Sequence, residues 1–350
     1  MEQGKKYEIL RNFNVNINGR DVYKIRALRD VGTVPAGTLG GYVESEANLS
    51  HKGDCWIANS AIACGDSRVS GNARLLGEAK LFDQAAIRDE AAVAGQAELH
   101  DFASAEGRAD VSDRTMMRDH SKVRDNAVLG NGRIVLKGHS SVAEDAVVEG
   151  KTRLENSARI EGQAHVKHTV LNGKSLIDGN ANVTSAILND NAHITNDAVV
   201  TACAFMKDDA VIDGTANVET DIDMSGQARI TGGKITDFMD IDADALIENE
   251  NDYMRISSAG IGGCAFRCRG GDVKMRAPAL GMPFSSSFND VSVRMDKMAE
   301  YGRIAEQDKA ALMAAMDEVR QRFGLQDASD DQDFANAVAS IPDEGVKLEH

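Results

Sequence analysis

Histidine is the side chain in this sequence best suited to proton transfer near neutral pH. The chain carries 8 histidines, and each could act as a general base towards a hydroxyl or an amine. His100 and His120 form the best geometric pair, because the preceding aliphatic residues Leu99 and Met117 are 18 residues apart. We predict His100 and His120 as the catalytic candidates. The competing interpretation is that each is an ordinary surface residue.

A second candidate is a group of four cations around a Gly-Gly turn near the C-terminal end. Its members are Arg267, Arg269, Lys274 and Arg276. Gly270-Gly271 predicts a hairpin that carries these cations on one face and Phe266, Cys268, Val273 and Met275 on the other. On an acidic chain such a patch could hold the phosphates of a ligand. The alternative is a solvated face balanced by neighbouring acids such as Asp272.

The composition limits the classes of partner. The 350 residues have a formal net charge of −16, which disfavours a general binder of nucleic acids or acidic lipids. No run of about 18 apolar residues is present, and the first ten residues lack a signal peptide, so we expect no membrane partner. Five unevenly spaced cysteines indicate reduced thiols in the cytoplasm. Leu348, Glu349 and His350 are interpreted as the start of a tag.

The elements that must position these residues follow from a period of six. In "EAKLFDQAAIRDEAAVAGQAEL", which starts at Glu78, small residues precede aliphatic ones by two positions, namely Ala79/Leu81, Ala85/Ile87, Ala91/Val93 and Ala97/Leu99. Asp or Gly then follows each of the first three pairs. Six residues span 600° of helix, so a helix would scatter the aliphatic residues around its axis. Short strands joined by bends put both inward positions on one face.

Three such strands close a coil of 18 residues, and stacked coils lie about 4.8 Å apart. We therefore predict an all-β repeat, a parallel β-helix of about ten coils. Asp83, Asp101 and Asp119 then form one column, which we interpret as turn caps rather than a metal site. Cys264 and Cys268 are interpreted as core thiols, since an isolated CxxxC is weak support for a metal site.

The six-residue repeat resembles that of the hexapeptide-repeat proteins over about residues 47–235, and this resemblance implies a left-handed, single-stranded β-helix. The head of the chain, with "RALRD", "GGYVE", "NLS" and "GDCWI", resembles a bacterial and prophage-borne group of these proteins that carries only the label acetyltransferase. Many hexapeptide-repeat proteins are homotrimeric acyltransferases. The resemblance thus implies a homotrimer that takes acetyl-CoA as a substrate and uses a histidine base between rods.

Two features weaken the enzyme interpretation and leave an alternative open. The six-residue repeat is interrupted near Gly138, Lys174 and Leu188, and each interruption is only a few residues long. The familiar acyltransferases, by contrast, often have a long loop over the substrate. A basic and aromatic clamp for CoA is not obvious on the coils. The alternative is a non-catalytic scaffold or binding rod of prophage origin. The acceptor molecule is unknown, and no metal is expected, because no histidine pair has the spacing of the zinc-binding branch of this fold.

The ends of the rod are predicted to be closed by other structure. We divide the chain into an N-terminal β cap (1–45), the β-helix (46–250), a small C-terminal α+β module of hairpin and helices (251–347) and the tag residues (348–350). The cap contains a turn at Asn18-Gly19. A helical pattern between Ser287 and Gly324 puts Leu312, Met316, Val319 and Phe323 on one stripe, and a further short helix is predicted at Asp333–Ile341.

Overall fold

The computed structural model describes residues 4–256, 263–277, 282–288, 291 and 306–325. Most of them form a left-handed parallel β-helix with three faces, two of which contain 11 strands each. Eleven coils at about 4.8 Å per step give a rod roughly 50 Å long. The predicted β-helix is confirmed, with one coil more than expected.

Each side of a coil has the same arrangement of inward residues, outward residues and a turn. The side from Ala85 to Asp89 is an example. Ala85 and Ile87 point inward and are fully buried, while Ala86 between them points outward. Asp89 then bends the chain with a φ of 61°, in the left-handed region that most side chains avoid. Alanine leaves room for one column of larger side chains, so the narrow interior is filled by Leu, Ile, Val and Met.

Strands on each face pair in parallel and in register with the coil above and below. The first face comprises Leu39–Val43, Ile62–Ala63, Lys80–Leu81, Glu98–Leu99, Met116–Met117, Val135–Leu136, Arg153–Leu154, Val170–Leu171, Ile187–Leu188, Ala204–Met206, Ile222–Met224 and Met239–Ile241. The second face comprises Trp56–Ile57, Arg74–Leu75, Ala92–Val93, Asp110–Val111, Val128–Gly132, Val147–Gly150, His165–Lys167, Asn182–Thr184, Val199–Val200, Asn217–Val218 and Lys234–Ile235. The third face comprises Arg68–Val69, Ala86–Ile87, Ser104–Ala105, Lys122–Val123, Ser141–Val142, Arg159–Ile160, Leu176–Ile177, His193–Ile194, Val211–Ile212, Arg229–Ile230 and Leu246–Ile247.

The N-terminal end of the rod is closed by a β-hairpin. Strands Tyr7–Ile17 and Arg20–Ala27 extend the first-face sheet in antiparallel fashion, and a 3₁₀ turn at Glu46–Asn48 follows. The turn between the two strands is at Asn18-Gly19, as predicted, with both φ angles positive. Lys6 is fully buried at this end, where its Nζ donates to the Cys55 carbonyl at 2.8 Å. Burial lowers the pKa of this amine.

The C-terminal end carries a four-stranded antiparallel sheet, which we call the end sheet, and a helix. Its strands are Tyr253–Ile256, Gly263–Arg267, Val273–Ala277 and Met282–Ser287. The helix spans Glu306–Phe323, and Gly324 ends it with a φ of 67°. Met316, Val319 and Phe323 are buried against the end sheet, so the predicted apolar stripe docks within its own chain.

The hairpin turn at Gly270-Gly271 is present, but its predicted faces are wrong. The strands pair Phe266 with Lys274 and Arg267 with Val273. Opposite residues of an antiparallel pair share a face, and the actual register differs by one residue from the register that a two-residue turn implies. Lys274 therefore lies on the face that holds Phe266, and Arg267 lies on the other. The four cations do not form one face.

Some of the predictions for the C-terminal part of the chain concern residues that the structure does not describe. The short helix predicted at Asp333–Ile341, the C-terminal tag residues and the side chain of Leu312 lie outside the described residues. Of the helices that the structure does describe, none has the length and apolar character needed to cross a membrane.

Candidate functional site

His100 lies at the corner where the first face turns into the third. Its ring stacks on Phe82 with 4.6 Å between ring centroids, and its Nε2 lies 3.5 Å from Glu98 Oε2. Glu98 also accepts a 2.9 Å hydrogen bond from Lys80. Burial raises the pKa of the Glu98 carboxyl, but the interactions with Lys80 and His100 outweigh burial and hold it below its usual value. The carboxylate is therefore ionised at neutral pH, and His100 Nε2 faces it at 3.5 Å without a hydrogen bond of good geometry.

His120 occupies the neighbouring column of the same corner. Its exposed ring stacks between Phe102 at 4.7 Å and His139 at 4.9 Å. The residue between the two columns is Asp101 in one coil and Asp119 in the next, each with a positive φ. The structure thus brings His100 and His120 to one corner of adjacent coils, on separate stacks.

Two cations continue the column of His100. Leu99, Met117 and Leu136 pair in register, so the residues that follow them are aligned along the rod. These residues are His100, Arg118 and Lys137. Among the described residues, neither Arg118 nor Lys137 has a carboxylate within ion-pair distance. We call the set His100, Arg118, His120, Lys137 and His139 the histidine corner.

The opposite edge of the first face holds a groove of about 600 Å³, within the size range of ligand pockets. Its charged lining comprises Asp113, Arg114, Arg133 and Lys151, beside His168. A smaller cavity of about 280 Å³ shares Arg114 and Arg133 and is also lined by Glu78, Lys80 and Glu98. His168 Nδ1 accepts a 3.2 Å hydrogen bond from the Lys151 backbone N–H, so in the neutral ring Nε2 carries the proton. We call this site the corner groove.

The three cations of the corner groove form a second column. They lie two positions before Met116, Val135 and Arg153, which pair in register on the first face. All three are exposed, and no described carboxylate forms an ion pair with them. Together with Arg118 and Lys137 they form what we call the basic face, five cations in three consecutive coils around Met116 and Val135.

Several other cations on the rod pair with neighbouring acids, while others such as Arg108 and Lys122 are also without an ion pair among the described residues, so what distinguishes the basic face is the clustering of its cations. Lys80 pairs with Glu98 at 2.9 Å, and Lys234 pairs with Glu219 at 3.0 Å. Arg88 pairs with Glu106 at 2.5 Å in the next coil. On a chain with a net charge of −16, five cations without acidic partners at one place favour an anionic ligand.

The four hairpin cations have partners, by contrast. Lys274 Nζ lies 2.6 Å from Asp244 Oδ1, and Arg276 pairs with Asp240, both on the last coils of the rod. The hydrogen bond between Lys274 and Asp244 raises the pKa of the lysine and lowers that of the carboxyl.

The two arginines nearer the turn are also engaged. Arg267 Nε lies 3.2 Å from Asp252 Oδ1, and its guanidinium stands over the Phe323 ring at 5.5 Å. Arg269 donates to the Gln227 carbonyl at 3.1 Å. The cations thus attach the end sheet to the rod and to the helix, and phosphate binding by them remains a prediction.

The aspartate column caps turns, as predicted. Asp83 Oδ2 accepts the backbone N–H of Asp101 at 3.3 Å, and Asp101 Oδ2 accepts that of Asp119 at 3.1 Å. In the described part of the chain, no three His, Cys, Asp or Glu side chains converge to hold a metal ion. Cys264 and Cys268 are free, buried thiols, and burial raises their pKa values to about 11 and about 12.

Two further histidines point outward on different faces. His165 Nε2 lies 3.0 Å from Glu149 Oε2 on the second face, and His193 Nε2 lies 3.0 Å from Asp178 Oδ1 on the third. Hydrogen bonds from Lys167, Asn131 and His165 lower the pKa of the Glu149 carboxyl to about 2.

The sequence interpretation missed the basic face and placed the concentrated basic patch at the hairpin. The feature that indicates this site is the spacing of Arg114, Arg133 and Lys151, which follow one another at intervals of 19 and 18 residues and therefore align in one column. The alignment of such residues along the rod can be predicted only when the number of residues in each coil is known. The coil that contains Gly132 has one residue more than its neighbours.

No family model matches the chain, and a search of the curated proteins finds no relative. The fold is a parallel β-solenoid, consistent with a hexapeptide-repeat β-helix. The features of the rod that bear on activity are therefore the basic face and the two corners beside it.

Proposed function

We propose that this protein is an acyltransferase that moves an acyl group from a CoA thioester to a hydroxyl or amine acceptor. The observation that supports the proposal is the corner groove, where three cations without ion pairs lie across the first face from His100 on a chain of net charge −16. Phosphates of CoA bind Arg114, Arg133 and Lys151 in the corner groove, since arginine and lysine are strong donors to phosphate oxygens. Its acyl end then crosses the first face towards the histidine corner.

His100 is the proposed base in this mechanism. Because Nε2 is turned towards Glu98 at 3.5 Å, Nδ1 is the nitrogen that we assign as the base. Nδ1 takes the proton of the acceptor O–H or N–H while that atom attacks the thioester carbonyl. The C–S bond then breaks, and the sulfur leaves with the proton returned by the imidazolium. His120, in the adjacent exposed stack, is the second candidate.

The proposed oligomer is a homotrimer, and an apolar column on the first face supports association between rods. Its outward members are Met116, Val135, Val170, Ile187 and Phe205, which pair in register along the face and are interrupted only by Arg153. They are half-buried or exposed, and Phe205 is 38% exposed. Burial of such a column against a second rod would be favourable. A groove between rods would also enclose the basic face.

The second candidate function is a non-catalytic binding rod. The observation that favours it is the short coil breaks, which leave the first face without a long loop over the histidine corner. In that case the basic face would bind an anionic partner without any transfer step.

Calorimetric titration with acetyl-CoA tests the proposal on the full chain. Arg114→Gln/Arg133→Gln should weaken binding roughly 10²- to 10⁴-fold, because charge-assisted hydrogen bonds contribute about 1.5–3 kcal/mol each. Arg108→Gln, an exposed cation outside the groove, is the matched control and should bind like wild type. Arg267→Ala/Lys274→Ala tests the hairpin. No binding by the wild type would refute the enzyme proposal, whereas loss only in the hairpin variant would move the cofactor site to the hairpin.

A further inference from the structure

The column above His100 contains two cations that the proposed acyl transfer does not yet use. Arg118 lies one coil and Lys137 two coils from His100, at distances of about 5 and 10 Å along the rod. Arg118 is exposed and Lys137 is half-buried. No described carboxylate pairs with either side chain, although Glu155 follows Lys137 in the same column. Glu155 is instead held by Arg153.

The other carboxylates at this corner are engaged elsewhere, since Glu98 accepts a hydrogen bond from Lys80 at 2.9 Å and the two aspartates are held by the backbone. Asp101 and Asp119 lie in the turn column between the two stacks. Asp101 Oδ2 accepts the Asp119 N–H at 3.1 Å, and Asp119 Oδ2 accepts the Gly138 N–H at 2.8 Å. Both carboxylates are therefore engaged with turn amides, and neither forms an ion pair with Arg118 or Lys137.

We propose that the acceptor substrate is a compact phosphate monoester whose phosphate binds Arg118 and Lys137 while its hydroxyl or amine lies over His100. This inference rests on the proposed acyl transfer and specifies its second substrate. A phosphate monoester carries a charge of about −1.5 to −2 at neutral pH, which matches two unpaired cations. A carboxylate would match one of them only.

The spacing of the column also sets the size of the acceptor. With the phosphate between Arg118 and Lys137, its centre lies roughly 5–10 Å from His100 along the rod. A nucleophilic group several bonds from the phosphate, as in a sugar phosphate, spans that distance. The acceptor O–H loses its proton to His100 as the oxygen attacks the thioester carbonyl, the C–S bond breaks, and the free thiol leaves. The phosphate ester itself is unchanged.

Ribose 5-phosphate and ribose are matched probes, because they differ only in the phosphate. Calorimetry or ligand-observed NMR on the full chain should show ribose 5-phosphate binding about 10- to 100-fold more tightly than ribose. Arg118→Gln/Lys137→Gln should abolish this difference and leave acetyl-CoA binding intact. Arg114→Gln/Arg133→Gln should instead weaken acetyl-CoA binding and keep the preference for ribose 5-phosphate over ribose. Each double variant is therefore a control for the other.

The outcomes separate this inference from the acyl-transfer proposal. Equal binding of the two probes, or a preference that survives Arg118→Gln/Lys137→Gln, overturns the phosphate site even if acetyl-CoA binds. A phosphate preference that depends on these two residues, in a protein that does not bind acetyl-CoA, would retain the anion site and refute the transferase. Both properties together support a two-substrate enzyme.

Discussion

At the scale of single residues, the chemistry of this rod depends on which charged side chains have partners. Carboxylates along the coils hold several of the cations, and Glu149 with Lys167 and His165 is one such cluster, with contacts of 2.7 and 3.0 Å. The basic face lacks such partners. His100 lies beside that face with His120, His139 and His168, whereas His165 and His193 lie elsewhere on the rod.

Replacement of His100 tests its role as base. His100→Gln should lower the rate of acyl transfer by roughly 10²–10⁴-fold while acetyl-CoA affinity stays within about twofold, because the base acts on the acceptor proton. His193→Gln is the matched control, since His193 has a similar carboxylate contact on the third face. Equal rates for wild type and His100→Gln would remove His100 from the mechanism and leave His120 to be tested.

The Glu149 cluster predicts a pH dependence of stability. Because the folded-state pKa of Glu149 is about 2, below its unfolded value of about 4.3, its contribution is present above that value and is lost as pH falls towards 2. Glu149→Gln should therefore lower the melting temperature at pH 7, and the difference from wild type should shrink by pH 3. Glu90→Gln, an exposed turn residue, is the comparison. A difference that grows on acidification would contradict the assignment.

At the scale of elements, the stability of a coil is set by its inward column and by its turns. Each strand has only a few residues, so one inward side chain and one bend determine whether that side packs. Leu188 is fully buried in the column, and Asp89 illustrates a turn with a φ of 61°.

Core truncation should have a large cost. Leu188→Ala should lower the free energy of unfolding by about 2–5 kcal/mol, because it leaves a cavity between coils that cannot close freely. Val128→Ala, at an outward position that is 39% exposed, should change it by less than about 1 kcal/mol. Urea denaturation of the two variants measures the contrast, and similar losses would argue against a tightly packed interior.

Turn variants should separate conformation from capping. Asp89 Oδ2 accepts the Gly107 N–H at 3.1 Å, and both Asp89→Gly and Asp89→Ala remove this bond. Only alanine also meets the steric cost of the left-handed conformation, so Asp89→Ala should be about 1–2 kcal/mol less stable than Asp89→Gly. Equal stabilities by denaturant titration would show that the backbone conformation at this turn is not costly.

Elements were more predictable from the sequence than the site was. The period of six specifies the strands and the turns, because small and aliphatic residues two apart must share a face. The hairpin faces were not predictable, because a shift of one residue in the loop moves Lys274 to the face of Phe266. The basic face requires the alignment of Arg114 with Arg133, which depends on the extra residue in the coil at Gly132.

At the scale of the whole molecule, the rod is closed at both ends and carries its apolar and basic columns on one face. The hairpin at the N-terminal end and the end sheet at the other cover the terminal coils. The terminal coils are therefore covered, while Tyr7–Ile17 is the outer edge strand of the first-face sheet. Association is expected along the first face instead, beside the apolar column.

Sedimentation equilibrium tests this arrangement. The wild type should have three times the chain mass of 37.5 kDa. Ile187→Asp should shift the distribution towards monomer, because a charge in the apolar column would be buried without a partner. Asn182→Asp, on the second face, is the control for added charge. A monomeric wild type would exclude a site shared between rods.

The most direct test of the central claim is a crystal structure determined with CoA, in which the position of the phosphates is measured. Phosphate oxygens should lie within about 2.7–3.2 Å of donors on Arg114, Arg133 or Lys151, with the thiol end directed across the first face towards His100. Phosphates bound at the hairpin cations, or a corner groove without CoA at saturating concentration, would contradict this claim.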